Sequence, residues 1–263
     1  MERNTTWYYR TFSEAEALAH AREFFDSLTG DFPRFHESRR VVGDAETSIF
    51  RPAVELQVAG LCLLAGKPRN ELNLPVSFAF FVVDHLAVGW SAMMASQFRV
   101  AYSLCRSAVE ASIFEVASLF DRTKFRDLWT QPAGTGGKVL QAISGTIPNE
   151  LYAVLRRGWN ATKSLGHASF MPVMSSGQVV QDHTGKKVGV MTFGGPYIEP
   201  LNEEALTNLT IVYGIAALVG LQAMSSSLIP HAQPCPEWEA KHNELWAKSK
   251  RIAEEAIKKL EME

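Results

Sequence analysis

The stretch QFRVAYSLCRSAVEASIFEVASLF, residues 97–120, decides the fold class because it reads as one long helix with little polar surface. Its polar side chains Arg99, Ser103, Arg106 and Glu110 follow spacings of 4, 3 and 4. At about 100° per residue these side chains lie on one stripe. A helix that is apolar around the rest of its circumference is typically buried. We therefore expect a helical core in which this stripe faces the interior or a cleft.

The helical pattern continues on both sides of this stretch. Ser13 followed by Glu16 is the signature of a capping box and predicts the start of a first helix. From residue 75 to about residue 120 the apolar spacing is helical, with a break expected near Gly89 or Met94. The sequence thus predicts several long helices joined by short loops.

Three regions follow one another along the chain. We expect N-terminal helices over 1–70, a helical core over 71–230 and a charged C-terminal helix over 231–263. Within the core region, QVVQDHTGKKVGVMTF contains two β-prone runs around a polar turn, which predicts a β-hairpin at about 177–194. The expected fold class is mainly α: a multi-helix domain with one small inserted β-hairpin and a C-terminal amphipathic helix.

The composition is that of a globular protein. Hydrophobic residues make up 46% and charged residues 21%, and the formal net charge of −2 gives no global field that favours nucleic acid or an anionic membrane. The three cysteines, Cys62, Cys105 and Cys235, are far apart and form no metal-ligand spacing, so we expect no metal or other cofactor. Cys62 and Cys105 stand in apolar helical context and are expected to be buried free thiols. The first residues contain no apolar run typical of a signal peptide, which favours a reducing cytoplasm.

Two apolar segments approach the length of a membrane span, residues 75–94 and 209–224. Asp84 and His85 stand at the centre of the first, where an ionisable pair is costly in lipid. The second is shorter than the roughly 20 residues that a spanning helix usually needs. We therefore interpret both as buried core helices and expect no membrane partner.

A second polar stripe is predicted on the helix that begins near Pro148. Its members Arg156, Asn160, Lys163 and His167 again follow spacings of 4, 3 and 4. If the two stripes faced each other, they would form a cleft rich in cations.

Histidine can transfer protons near neutral pH, and a neighbouring cation can bind phosphate or stabilise a developing oxyanion. The candidate catalytic residues are His167, Arg106 and Glu110, and the candidate substrate-binding residues are Arg99, Arg156, Asn160 and Lys163. The alternative is that the second stripe is a solvated face, with His167 stabilising the helix C-terminus and Arg106 paired with Glu110 one turn away.

Two short motifs carry a resemblance. The run LCRSAVEASIFEVASLF resembles the L-x-R-S-x-x-E helix of uncharacterised bacterial helical proteins, and SLGHAS at 164–169 matches their later S-x-x-H-x-S pattern. More distantly, the chain resembles the HEPN (higher eukaryotes and prokaryotes nucleotide-binding) superfamily. Many members of that superfamily are metal-independent ribonucleases in toxin–antitoxin and phage-defence systems.

The HEPN motif is an arginine, four to six residues, and a histidine, which with His167 as the histidine points to positions 160–162. This chain has Asn160, Ala161 and Thr162 there, so an arginine would have to come from another helix, with Arg106 as the candidate.

Two functions of different classes are therefore expected. The first is a phosphodiester-directed enzyme, a HEPN-like metal-independent ribonuclease or phosphate-binding toxin or defence protein, whose partner is RNA. Such sites often form across a homodimer, and the charged C-terminal helix could assist pairing. The second is a non-catalytic helical scaffold or a module that binds a small anionic ligand.

Overall fold

A computed structural model describes residues 12–28, 40, 42–44, 46–65, 71–95, 97–129, 136–162, 177–181, 187–191 and 201–260. Nine α-helices occur in this part of the chain. They are α1 (Glu14–Leu28), α2 (Arg51–Leu64), α3 (Asn73–Met94), α4 (Phe98–Phe120), α5 (Arg122–Trp129), α6 (Gly136–Ala142), α7 (Asn149–Thr162), α8 (Leu201–Ser227) and α9 (Pro236–Leu260). The remaining elements are a π-helical turn (Glu46–Phe50), a 3₁₀ turn (Ile229–His231) and the strands β1 (Gly177–Gln181) and β2 (Lys187–Met191).

The predicted start of the first helix is confirmed. The backbone N–H of Ser13 donates to Glu16 Oε2 over 3.0 Å, and the backbone N–H of Glu16 donates to Ser13 Oγ over 3.3 Å. These reciprocal bonds satisfy amide donors that have no partner within the helix. The expected break in the long apolar run lies after Met94, between α3 and α4, and Gly89 is inside α3.

Helices α3 and α4 form an antiparallel pair, and α8 crosses it. The contact is close at Gly89, where a Cβ atom would lie 3.0 Å from Leu104 Cβ and would collide with the Tyr213 hydroxyl. That hydroxyl donates to the backbone oxygen of Ala101 over 2.7 Å. Tyr213 therefore joins α8 to α4 at the one point of α3 where only a glycine leaves room.

Aromatic rings fill the core beside this crossing. Phe50 and Trp90 are stacked with centroids 3.9 Å apart, and Tyr213 presents its edge to both at 5.8 Å. Residues from all three predicted regions, for example Ala17, Leu86 and Trp238, belong to the same buried cluster. Burial of this apolar surface is the main source of stability.

Trp238 fixes the beginning of α9 to the rest of the protein. Its indole N–H donates to the backbone oxygen of Leu56 over 2.7 Å, and its backbone N–H donates to Glu14 Oε1 over 2.7 Å. The ring of His242, one turn later, is stacked on the indole at 5.4 Å. Burial lowers the pKa of His242, and so favours the neutral imidazole in this stack.

The predicted β-hairpin at about 177–194 is wrong as an element of the core. Strand pairing in the described chain is confined to β1 and β2, which run antiparallel with Gly177 opposite Met191 and Gln181 opposite Lys187. Two strands alone form no layer on which a core could pack. The fold class is therefore corrected to all α.

Three stretches are long and apolar enough to cross a membrane by length and composition, namely Thr47–Leu64, Asn73–Met94 and Ala205–His231. In the structure more than half of each stretch is buried by other parts of the chain. Helix–helix packing thus accounts for much of their apolar surface.

All three cysteines are buried, and Cys62 and Cys105 are free thiols, as predicted. Burial raises the pKa of Cys62 to about 11 and that of Cys105 further, because a thiolate is poorly solvated in the core. Buried thiols with raised pKa values are inert as nucleophiles.

Candidate functional site

Arg106 connects the polar stripe of α4 to the end of α7. Its Nη1 donates to the backbone oxygen of Thr162 over 3.4 Å, and its guanidinium carbon lies 4.4 Å from the ring centroid of Trp159. The carbonyls of the last helical turn have no partner within the helix, so a cation there is favourable. Stacking on the indole adds a cation–π interaction. Arg106 is half-buried and held by two groups of α7.

Glu110 lies one turn further along α4 and contacts a different element. Its Oε1 accepts the backbone N–H of Gly136, at the start of α6, over 2.6 Å. The expected salt bridge between Arg106 and Glu110 is not among the ion pairs of the described residues. Those pairs join Arg51 to Glu55, Lys124 to Asp121, Arg126 to Asp127 and Lys241 to Glu237. Glu110 instead acts as the carboxylate cap of α6.

A glycine pair brings α6 against Trp159. A Cβ atom on Gly136 would lie 2.9 Å from the indole, and one on Gly137 would lie 3.0 Å from three of its atoms. These contacts are too short for any other residue type without a shift of the ring. Gly136 and Gly137 form the first turn of α6. Trp159 is thus enclosed between Arg106 and α6.

The other predicted site residues lie apart from this cluster or outside the described chain. Arg99 is exposed near the start of α4, and Arg156 and Asn160 are exposed on α7. Lys163 and His167 fall outside the described residues. Because α7 buries Leu155, Gly158 and Thr162, the face that meets α4 lies beside the predicted stripe rather than on it.

Two residues of the cluster escaped the sequence analysis, Trp159 and Thr162. Trp159 is an aromatic residue beside the polar stripe, and Thr162 takes part through its backbone oxygen, which leaves no mark in a sequence. The available signal was an aromatic ring on the same helix as several cations, a combination that permits stacking with a guanidinium.

Glu115 is the carboxylate on α4 whose pKa is shifted most, and the sequence analysis did not identify it as a residue of interest. It is 1% exposed, and Ser227 on α8 lies 2.6 Å from its Oε1. Burial raises the pKa of Glu115 to about 8, while the bond from Ser227 lowers it by a smaller amount. Glu115 lies about 140° around the helix from Glu110, at 3.6 residues per turn, and therefore faces the core instead of the Arg106 cluster.

The cluster of Arg106, Glu110, Trp159 and Gly136 has the chemistry of an anion site. A guanidinium has five N–H donors, and phosphate and carboxylate oxygens match their geometry. Glu110 and Trp159 restrict where the guanidinium can lie, because they hold α6 and α7 against α4. The chain matches no protein-family model, no curated protein and no solved structure, so these roles follow from its own residues.

Proposed function

We propose that the protein is a cytoplasmic, metal-independent ribonuclease of the HEPN type, in which Arg106 binds the reacting phosphate and His167 transfers a proton. One observation supports this proposal above the others. Arg106 Nη1 lies 3.4 Å from the backbone oxygen of Thr162, five residues before His167. Positions 160–162 are where the HEPN motif has its arginine, so a guanidinium from α4 reaches the helix turn where the family pattern needs one.

The proposed reaction uses the RNA 2′-hydroxyl as nucleophile. Its oxygen attacks the adjacent phosphorus, the bond to the 5′-oxygen breaks, and the products are a 2′,3′-cyclic phosphate and a 5′-hydroxyl. One proton leaves the 2′-hydroxyl and one is delivered to the 5′-oxygen, and His167 carries out one of these transfers. Arg106 stabilises the charge that develops on the phosphate oxygens.

The remaining predicted residues take supporting roles in this proposal. Glu110 acts through α6 and is a positioning residue, since its carboxylate is bonded to Gly136. Arg156 and Asn160 are exposed on α7, where they could contact the RNA backbone together with Lys163. Arg99 lies two turns before Arg106 on the same helix and could contact a neighbouring phosphate.

The first test is cleavage of single-stranded RNA in the presence of EDTA by the wild type and by His167→Ala. We expect the variant to cleave about 100-fold more slowly, because loss of a general acid or base typically costs at least this factor. Circular dichroism spectra should coincide, so that the loss reports on chemistry. Equal rates for the two proteins would remove His167 from the mechanism.

A second candidate function is a non-catalytic scaffold or small-anion-binding module. The observation in its favour is that Arg106 and Glu110 both stabilise helix–helix contacts, to α7 and to α6 respectively. Absence of cleavage by folded wild type on several RNA substrates would favour this function. Retention of RNA or phosphate binding by the same preparation would then distinguish an anion-binding module from a scaffold.

A further inference from the structure

Glu115 is a carboxylate buried in the contact between α4 and α8. Its side chain is 1% exposed, and its Oε2 atom is buried without a hydrogen-bond partner among the described residues. Its Oε1 atom lies 2.6 Å from Ser227 Oγ on the last turn of α8. Burying an ionised carboxylate that accepts only one hydrogen bond costs considerable free energy in an apolar core.

The hydroxyl of Ser227 lies between two acceptors. Ser227 Oγ is 2.6 Å from Glu115 Oε1 and 2.7 Å from the backbone oxygen of Ala223, yet a hydroxyl has one proton to donate. Both short distances are satisfied together when Glu115 carries a proton and donates it to Ser227, while Ser227 donates to Ala223. When Glu115 is ionised, Ser227 can donate to the carboxylate only by giving up Ala223.

No charged side chain among the described residues compensates Glu115. The only causes of its shifted pKa are burial and the Ser227 bond. On α8, Tyr213 is the only ionisable side chain over residues 205–227, and its hydroxyl is bonded to Ala101. On α3, Asp84 is exposed and His85 half-buried. Asp121, directly after α4, is half-buried. The charged residues of the other helices packed on α4 are exposed, namely Arg122, Lys124, Arg126 and Asp127 on α5, Lys138 on α6, and Glu150, Arg156 and Arg157 on α7.

We propose that Glu115 and Ser227 form a proton-dependent latch between α4 and α8, which holds the two helices most stably when Glu115 is protonated and is weakened when its proton is released to solvent. Release of the proton turns the Ser227 hydroxyl from Ala223 to Glu115, so the bond between the helices remains, but the backbone oxygen of Ala223 loses this donor and a negative charge is buried in the contact. The two helices held by the latch form part of the core that supports Arg106, but the latch itself does not depend on the proposed reaction.

The direction of the pH effect follows from the two states. The pKa of Glu115 is about 8 in the folded protein and about 4.5 when the chain is unfolded, so the folded state binds the extra proton between these values. Stability is therefore unaffected by this group below about pH 4.5, falls as pH rises towards 8, and levels off above it.

The test compares the unfolding equilibrium of wild type and Glu115→Gln, an isosteric variant without the proton, from pH 5.5 to 7.5. Between pH 5.5 and 7.5 the equilibrium constant for unfolding of the wild type should rise about 100-fold relative to that of the variant. The reason is that release of one proton on unfolding changes this constant by a factor of ten per pH unit. Glu71→Gln, which makes the same change at an exposed position, should follow the wild type. A wild-type-to-variant ratio that is constant with pH would overturn the proposal.

A spectroscopic measurement keeps the proposal testable even if Glu115→Gln does not fold. Infrared difference spectra of the wild type between pH 6.5 and 9.5 should show the carbonyl band of a protonated carboxylic acid that disappears on deprotonation. Ser227→Ala should move this change to higher pH, because the bond from Ser227 lowers the pKa of Glu115. No carboxylic acid band at pH 6.5 would overturn the latch.

Discussion

Gly89→Ala is expected to lower the free energy of unfolding by about 3 kcal/mol, the upper end of the cost of overpacking a core. The added methyl group would collide with the hydroxyl of Tyr213 and lie 3.0 Å from Leu104 Cβ. Tyr213 cannot move aside at low cost, because it is fully buried and donates to the Ala101 oxygen over 2.7 Å. Urea unfolding followed by circular dichroism measures the loss.

Two further variants make this prediction specific. Gly214→Ala places a Cβ 3.8 Å from Ile49 Cγ2, an ordinary contact, and should stabilise α8 by up to about 1 kcal/mol because alanine favours helices. Tyr213→Phe removes the colliding hydroxyl. The free energy of unfolding of the double variant Gly89→Ala, Tyr213→Phe should therefore fall by less than the sum of the decreases in the two single variants. Equal effects of alanine at 89 and 214 would contradict the described crossing of α3 and α8.

Trp238→Ala is expected to lower the free energy of unfolding by about 4 kcal/mol, as is typical when a buried aromatic side chain is truncated. The indole is 1% exposed, donates to the Leu56 oxygen over 2.7 Å and supports the His242 ring. Its removal would leave a cavity between α2 and α9 and an acceptor without its donor. Limited proteolysis should then cut within α9 well before the rest of the protein unfolds.

The matched variant Trp238→Phe retains most of the ring but loses the N–H donor. We expect its free energy of unfolding to fall by about 1–2 kcal/mol, the contribution of one buried hydrogen bond plus a small cavity. Trp246→Ala, at a half-buried site two turns further along α9, should cost less than Trp238→Ala. If Trp246→Ala and Trp238→Ala lowered the free energy of unfolding equally, α9 would not be anchored through its first turn.

Much of the helical fold could be predicted because helix periodicity and capping are local properties. The spacing of apolar residues located α3, α4 and α7, and Ser13 with Glu16 marked the start of α1. The hairpin shows the limit of local reasoning. The β-prone runs predicted a hairpin at about 177–194, but local propensity does not reveal whether strands become a layer of the core.

The candidate site was less predictable because it depends on how helices are rotated against each other. Periodicity correctly placed Arg106 and Glu110 on one side of α4, where they contact α7 and α6. It could not reveal that α7 meets α4 through Trp159 and Thr162, which is decided by packing of Leu155 and Gly158. A backbone acceptor such as the Thr162 oxygen is invisible to any reasoning from residue types.

The most direct test of the proposed function is the rate of RNA cleavage in EDTA by Arg106→Gln beside Arg157→Gln. Both changes remove one positive charge, but Arg106 contacts the end of α7 and Arg157 is exposed on α7. We expect Arg106→Gln to cleave about 100-fold more slowly, the usual cost of losing one donor to a developing oxyanion, and Arg157→Gln to cleave nearly as fast as wild type. Equal rates for the two folded variants would contradict the assignment of Arg106 as the phosphate-binding arginine.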